Sequence, residues 1–272
     1  EAIDRTPLEA QAGLTCLACH RMDRIHNLTG NGNYNIADTQ ADPYLFSGAQ
    51  TGFRRVLHDA ALKAKPSAHK QQMMKPEYRT AEFCATCHKV SLDVAVNGYR
   101  WLRGQDEYGA WHDSGISMNA SRTFYLPFFK RICQDCHMPG RKHLWRGIHD
   151  PETVASGVTA RFSADGRGAS FQLSNSGVGH AFPTYITPKV VMRAVALDSQ
   201  GRPLPETAAW RDIQRVVDYT GGQWVERSDS RLLPGQSATL RLPWKGSRRI
   251  TMWLEVYPDD YYDHQVYDAL LT

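Results

Sequence analysis

The sequence predicts an α+β protein in two parts, a loop-rich part with short helices over residues 1–150 and a β-rich part over 151–272. Three observations lead there. Six cysteines fall in three Cys-x-x-Cys-His pentapeptides, all before residue 138. Helical periodicity in the first 150 residues is confined to 52–64 and about 81–90, and is broken by Pro43, Pro66, Pro76 and several glycines. After Pro151 the pattern becomes short alternating or β-rich runs separated by turn residues.

The pentapeptides are Cys16-Leu17-Ala18-Cys19-His20, Cys84-Ala85-Thr86-Cys87-His88 and Cys133-Gln134-Asp135-Cys136-His137, and they use every cysteine. This is the attachment signature of c-type haem: two thiols add to the two porphyrin vinyl groups, and the adjoining histidine falls beneath the iron as proximal ligand. Three disulfides would not put a histidine after every second cysteine. Structural zinc wants two such cysteine pairs or a histidine pair at finger spacing. A thioredoxin-like motif comes singly, at a helix start in a βαβ unit. Three covalent haems c are therefore expected, with iron on His20, His88 and His137. They also supply what the first part lacks, since 150 loop-rich residues would otherwise be short of a core.

Electron carriers need a sixth ligand on each iron, and of 11 histidines eight remain: His26, His58, His69, His112, His143, His149, His180 and His264. Bis-histidine ligation is favoured over methionine at Met73, Met74 or Met138, because methionines are more often gap-fillers, and it implies low potentials. His143 follows His137 through Pro139 and Gly140, which leave the chain free to turn toward a neighbouring haem. His180 lies in Gly177-Val178-Gly179-His180-Ala181-Phe182-Pro183-Thr184, where the glycines would let backbone approach a flat ligand and Phe182 could pack on its edge. His69 precedes Cys84 by fifteen residues. These three are the expected distal ligands, with His149, His58 and His26 in reserve. His112 beside Trp111 reads as structural and His264 as a surface residue.

The second part shows strand-like runs at 158–163, 169–174, 189–197, 213–219, 237–242 and 250–256, with turns at Asp165-Gly166, 198–201, Gly221-Gly222 and Pro234-Gly235. Six or seven short strands without cysteine predict an immunoglobulin-like β-sandwich, whose His180 loop would reach toward the haems and contribute a ligand.

Hydrophobic residues make up 42% and charged residues 22% of the 272, values of a folded globular chain. No apolar run reaches the ~18 residues of a transmembrane helix. The net charge of +4 sits in residues 1–150, with 19 Lys and Arg against 15 Asp and Glu. Compensation of anionic haem propionates accounts for it better than nucleic-acid binding, since no basic stripe interleaved with aromatics is present. The sequence starts at Glu1 with no apolar leader, so a secretion signal is expected to have been removed. Because haem joins these thiols after export, a periplasmic or extracellular location is expected.

The stretches 82–90 and 99–105, together with Cys136-His137-Met138-Pro139, resemble bacterial multihaem c-type cytochromes related to the cytochrome c554 group, and residues 179–184 are similar to a segment recurrent there. The resemblance covers patches of residues 14–190. It implies closely spaced haems with histidine ligands drawn from between and after the motifs, and favours His69, His143 and His180.

The expected function is electron transfer between redox partner proteins rather than enzymatic catalysis. Two other readings stand beside it. One is a subunit of a polymeric extracellular wire in which copies of the chain stack haem to haem. The other is a multihaem oxidoreductase with one open iron, for which Tyr108, His112, Lys130 and Arg131 could supply acid-base groups.

Overall fold

The computed structural model describes residues 6, 14, 16–37, 44–91, 103–119, 130–144, 146–221, 223–243 and 249–261. His264 and residues 99–102 lie outside them. Helix and strand are both well represented, and the chain divides between Cys87 and His88 into two compact units.

In the unit Asp4–Cys87, α1 (Cys16–His20) carries the first pentapeptide and leads into a hairpin of β1 (Met22–Ile25) and β2 (Tyr34–Ile36). Helix α2 (Gly52–Ala64) occupies the periodic segment, and α3 (Ser67–Met73) follows at once. Pro66 explains the break between them. A proline disfavours the helical region for the residue before it, and Lys65 has left that region (φ −137°, ψ 72°), while Pro66 itself caps α3. A 3-10 turn at Pro76–Arg79 leads to α4 (Ala81–Ala85). The periodicity around 81–90 predicts a longer helix than this. The Thr86 hydroxyl donates to the Phe83 carbonyl, the chain turns, and an extended segment replaces the rest.

This unit has little side-chain core. Its buried apolar residues, among those described, are Met22, Ala37, Ala81 and Ala85, whereas Phe53 is 75% and Leu45 79% exposed. On α2 the buried residue is a histidine, His58.

The unit from His88 onward begins with β3 (Lys89–Ser91) antiparallel to β4 (Arg103–Asp106), then α5 (Glu107–His112) and a 3-10 turn at Gly115–Ser117. The Asp106 carboxylate accepts from the Gly109 N–H and caps α5. The third pentapeptide forms α6 (Cys133–His137), where the Asp135 carboxylate accepts from the Ile132 N–H. Helix α7 (Pro151–Gly157), with proline in its first turn, then opens the β-rich region.

That region holds β5 (Val158–Asp165), β6 (Gly168–Asn175), β7 (Lys189–Leu197), β8 (Ala209–Ile213), β9 (Arg215–Thr220), β10 (Gln223–Asp229), β11 (Ser237–Pro243) and β12 (Arg249–Tyr257). One antiparallel sheet runs β5-β6-β11 and another β8-β7-β12, while β9 and β10 form a separate hairpin. Alternation orients the strands: Phe171, Leu173 and Asn175 of β6, and Ala238, Leu240 and Leu242 of β11, are buried, while their neighbours are half-buried or exposed. The apolar ones among them share one cluster with Val190, Met192, Ala194 and Ala196 of β7 and Ile213 of β8, so the two sheets contribute to a common core. The central β7 is buried almost throughout. The predicted run at 213–219 is interrupted at Gln214, and β8 and β10 add strands that polar, charged sequences such as Trp210-Arg211-Asp212 concealed.

Leu173 is fully buried in this core. Leu173→Ala is expected to lower unfolding stability by about 2–5 kcal/mol, read as a fall in the urea midpoint at unchanged slope.

Candidate functional site

None of the six cysteines is in a disulfide. Within residues 4–87 the thiols of the first two motifs come near one another: burial, then the neighbouring Cys87 and Cys16, raise the Cys19 pKa, and Tyr34 hydrogen-bonds to Cys87. Among the described residues no three His, Cys, Asp or Glu side chains converge as a site for a bare metal ion. The histidines come instead in pairs.

Each motif histidine is oriented from outside its own helix where the structure shows its partner. His20 Nδ1 lies 2.6 Å from the Met73 carbonyl at the end of α3, with Tyr78 edge-on to its ring at 5.2 Å. His137 Nδ1 lies 2.6 Å from the Arg146 carbonyl. His180 Nδ1 lies 2.9 Å from the Ala181 carbonyl. A carbonyl oxygen can only accept, so in all three Nδ1 carries a proton and Nε2 is the nitrogen left to face a metal, the usual arrangement of a metal-binding histidine.

The rings of His137 and His180 have centroids 6.2 Å apart and planes within 15°, and those of His88 and His143 lie 6.0 Å apart at 42°. An imidazole nitrogen binds a first-row metal at about 2.0–2.1 Å, so two rings facing each other across one ion have centroids roughly 6 Å apart. Both pairs have this spacing, and in both one ring belongs to a pentapeptide and the other does not. Burial, opposed in part by the Ala181 carbonyl and reinforced by His137, lowers the His180 pKa to about 4, which keeps it neutral as a ligand must be. Desolvation lowers the His88 pKa, with His143 and His137 adding to it, although part of the His88 ring remains open to solvent. Beside the third motif, Arg146 Nε is buried with no hydrogen-bond partner among the described residues, a cationic donor suited to the carboxylates of a porphyrin. The His88–His143 and His137–His180 pairs therefore have the spacing that two histidine ligands of one haem would need.

The His180 loop is fixed by Asn175, a fully buried residue at the end of β6. Its Nδ2 donates to the carbonyls of His180 (2.8 Å) and Leu232 (2.9 Å), and its Oδ1 accepts from the Val178 N–H. The flanking glycines serve this packing rather than a ligand surface. A Cβ on Gly177 would lie 2.6 Å from the Ser156 carbonyl oxygen, and one on Gly179 would lie 2.8 Å from Ile116. Phe182 likewise belongs to the buried core of the β-rich region, at 5% exposure, instead of standing at a ligand edge.

The other histidines are placed differently. His69 is half-buried on α3, its backbone N–H bonded to Tyr44 Oη at 3.4 Å. Tyr44 also meets the His58 ring edge-on, and His58 Nδ1 lies 3.1 Å from Asp59, so His58, Tyr44 and His69 form one group. His26 bonds Asn35 at 2.8 Å and His149 bonds Asp259 at 3.0 Å, both toward the surface. His112 pairs with Asp113 and packs near Tyr108, while Lys130 lies over the Trp111 ring. Met138 adjoins His137, and Met73 supplies its carbonyl to His20. Sequence reasoning missed Asn175. An asparagine inside an otherwise alternating strand was the available signal.

No family model and no curated protein matches this chain. The structure is similar to that of a penta-heme cytochrome c552 from Thermochromatium tepidum, with a TM-score of 0.55 and 19% identity, over 89% of this chain and 68% of that one. The likeness is one of fold.

Asn175→Ala leaves the buried His180 and Leu232 carbonyls without their donor, at an expected cost of about 1–3 kcal/mol. Hydrogen exchange at the Val178 amide should quicken more than exchange at the amides of β7.

Proposed function

We propose that this chain is a trihaem c-type cytochrome, related to the cytochrome c554 group, that carries electrons outside the cytoplasm between redox partner proteins. The observation that carries this reading is the pairing of His88 with His143 and of His137 with His180 at 6.0 and 6.2 Å. The fold likeness to a penta-heme cytochrome supports it.

In this reading Cys16, Cys19 and His20 hold the first haem, and Cys84, Cys87, His88 and His143 the second. Cys133, Cys136, His137 and His180 hold the third. For the first, His69 is the distal ligand and His58 the alternative, since both stand around Tyr44. Residues 1–150 form the cofactor-bearing part, and 151–272 an immunoglobulin-like sandwich whose loop supplies His180. When bound, haem iron exchanges one electron by cycling between the ferric and ferrous states, at low potential under two imidazoles.

The protein's own contribution is orientation. The Met73, Arg146 and Ala181 carbonyls fix the ring tautomers, and Asn175 holds His180 at constant distance. Two histidines on each iron would leave no ligand position for a substrate, which would suit a carrier better than a catalyst. Location in the periplasm or beyond the cell follows from haem attachment to exported thiols. Among the described residues no helix is long and apolar enough to cross a membrane.

Intact mass after expression with haem-attachment machinery should exceed that of the bare chain by three haems, and replacement of Cys133 and Cys136 by Ser should remove one. The reduced spectrum should be indifferent to carbon monoxide, whereas His143→Ala or His180→Ala should each create one carbon-monoxide-binding iron. A wild-type protein that takes up carbon monoxide would overturn the fully six-coordinate carrier.

A further inference from the structure

Among the described residues, one half-buried acid with an enclosed carboxylate oxygen stands outside the ligand set. Glu107, the first residue of α5, accepts from the Thr184 hydroxyl at Oε1 (3.1 Å), while Oε2 is buried with no hydrogen-bond partner among the described residues. Leaving a buried carboxylate oxygen unpaired is costly when it is charged, and much less so when it carries a proton.

Its helix is fastened to both flanks of the third site. Thr184 follows His180 by four residues. Trp111 of α5 lies against Gly179, and its Nε1 donates to the Arg131 carbonyl, two residues before Cys133. The 3-10 turn after α5 adds the Arg131 N–H bond to the Ile116 carbonyl. Glu107 and the His137–His180 pair are thus joined by packed side chains and hydrogen bonds, and a change of charge at the pair would reach Glu107 at least in part through protein, where electrostatic effects are stronger than in water.

We infer that Glu107 is a proton-binding site coupled to reduction of the iron held by His137 and His180: as one electron converts ferric to ferrous iron, Oε2 takes one proton from solvent and forms an O–H bond. The inference rests on the proposed haem ligation. The electron comes from a one-electron protein reductant, replaced in the test by dithionite or a mediator.

The surroundings leave this role to Glu107. Asp106 is occupied with the α5 N-terminus and with Lys89 Nζ at 4.0 Å, and Lys89 lies over the Tyr108 ring. Arg231 donates to the Thr184 carbonyl, with its charge paired to Asp229. Gln105 hydrogen-bonds the Glu107 carboxylate, and His112 and Lys130 are engaged at the far end of the helix, with Asp113 and over Trp111. Burial is the largest influence on the Glu107 carboxyl and raises its pKa to about 7, so proton uptake would fall in the neutral range. The sign follows: reduction adds negative charge, raises this pKa further, and lowers the potential as pH rises.

The test is a spectroelectrochemical titration of the intact holoprotein from pH 6 to 8, with the third haem identified as the one lost when Cys133 and Cys136 are replaced by Ser. Its reduction equilibrium should change by up to tenfold per pH unit, about 59 mV for one electron. Glu107→Gln should flatten this dependence, and Asp106→Asn should retain it. A slope unchanged in Glu107→Gln overturns the inference and assigns the proton elsewhere, for example to a propionate. If Glu107→Gln fails to fold, redox-difference infrared spectra of wild type with ¹³C-glutamate decide, since absence of an isotope-shifted protonated-carboxyl band overturns it. Loss of the underlying reading would show separately, as a missing third haem or a carbon-monoxide-sensitive one.

Discussion

An imidazole whose Nδ1 is bonded to a backbone carbonyl has one nitrogen left to offer, and its direction is then set by wherever that carbonyl belongs. This constraint organises the candidate site. The carbonyl that holds His20 lies 53 residues away at the end of α3, and the one that holds His137 lies in the segment after α6. The short pentapeptide helices cannot orient their own histidines. They depend on the folding of neighbouring chain, which links the ligand geometry to the tertiary structure rather than to the motif.

The two units solve the problem of stability differently. In the β-rich region, alternating side chains on β6 and β11 meet the nearly continuous apolar run of β7, and burial of these residues is sufficient to hold the sheets. The described residues of the 4–87 unit bury chiefly alanines and leave Phe53, Val56 and Leu57 of α2 exposed. Small residues where a core should be are poor at stabilising a fold, but they fit a chain that closes around large planar groups. The β-rich region can therefore act as a rigid mount. Asn175 fixes the His180 loop at one end, and the Phe182 bridge to Leu232 fixes it at the other.

Much of this was legible in the sequence. The pentapeptides needed only spacing, since two thiols and a histidine within five residues have few other uses. Helix α2 and strand β7 were readable over their full lengths because their apolar periods are unambiguous. His143 and His180 could be ranked from nearby Pro and Gly, and the structure sets each against a motif histidine. His69 could not be separated from His58, because both belong to one cluster and sequence distance carries no direction. The role of Gly177 and Gly179 was misread for a related reason. Glycine reports that something approaches closely, and only the fold shows that here it is the Ser156 carbonyl and Ile116. Strands β8 and β10 escaped because hairpin pairing, rather than alternation, defines them.

The six residues of α5 draw these threads together. Trp111 reaches the chain before the third pentapeptide, Gly179 is small so that Ile116 and Trp111 can approach the His180 loop, and Glu107 meets Thr184 beyond that loop. A helix this short has little intrinsic stability, so it persists through these tertiary bonds and through the Asp106 cap. Apolar residues in place of Glu107 and Thr184 could fill the same space without an unpaired oxygen. The acid therefore works against packing at the point where both flanks of the third site converge. A local cost at that location is what a group kept for its proton rather than for its packing would show.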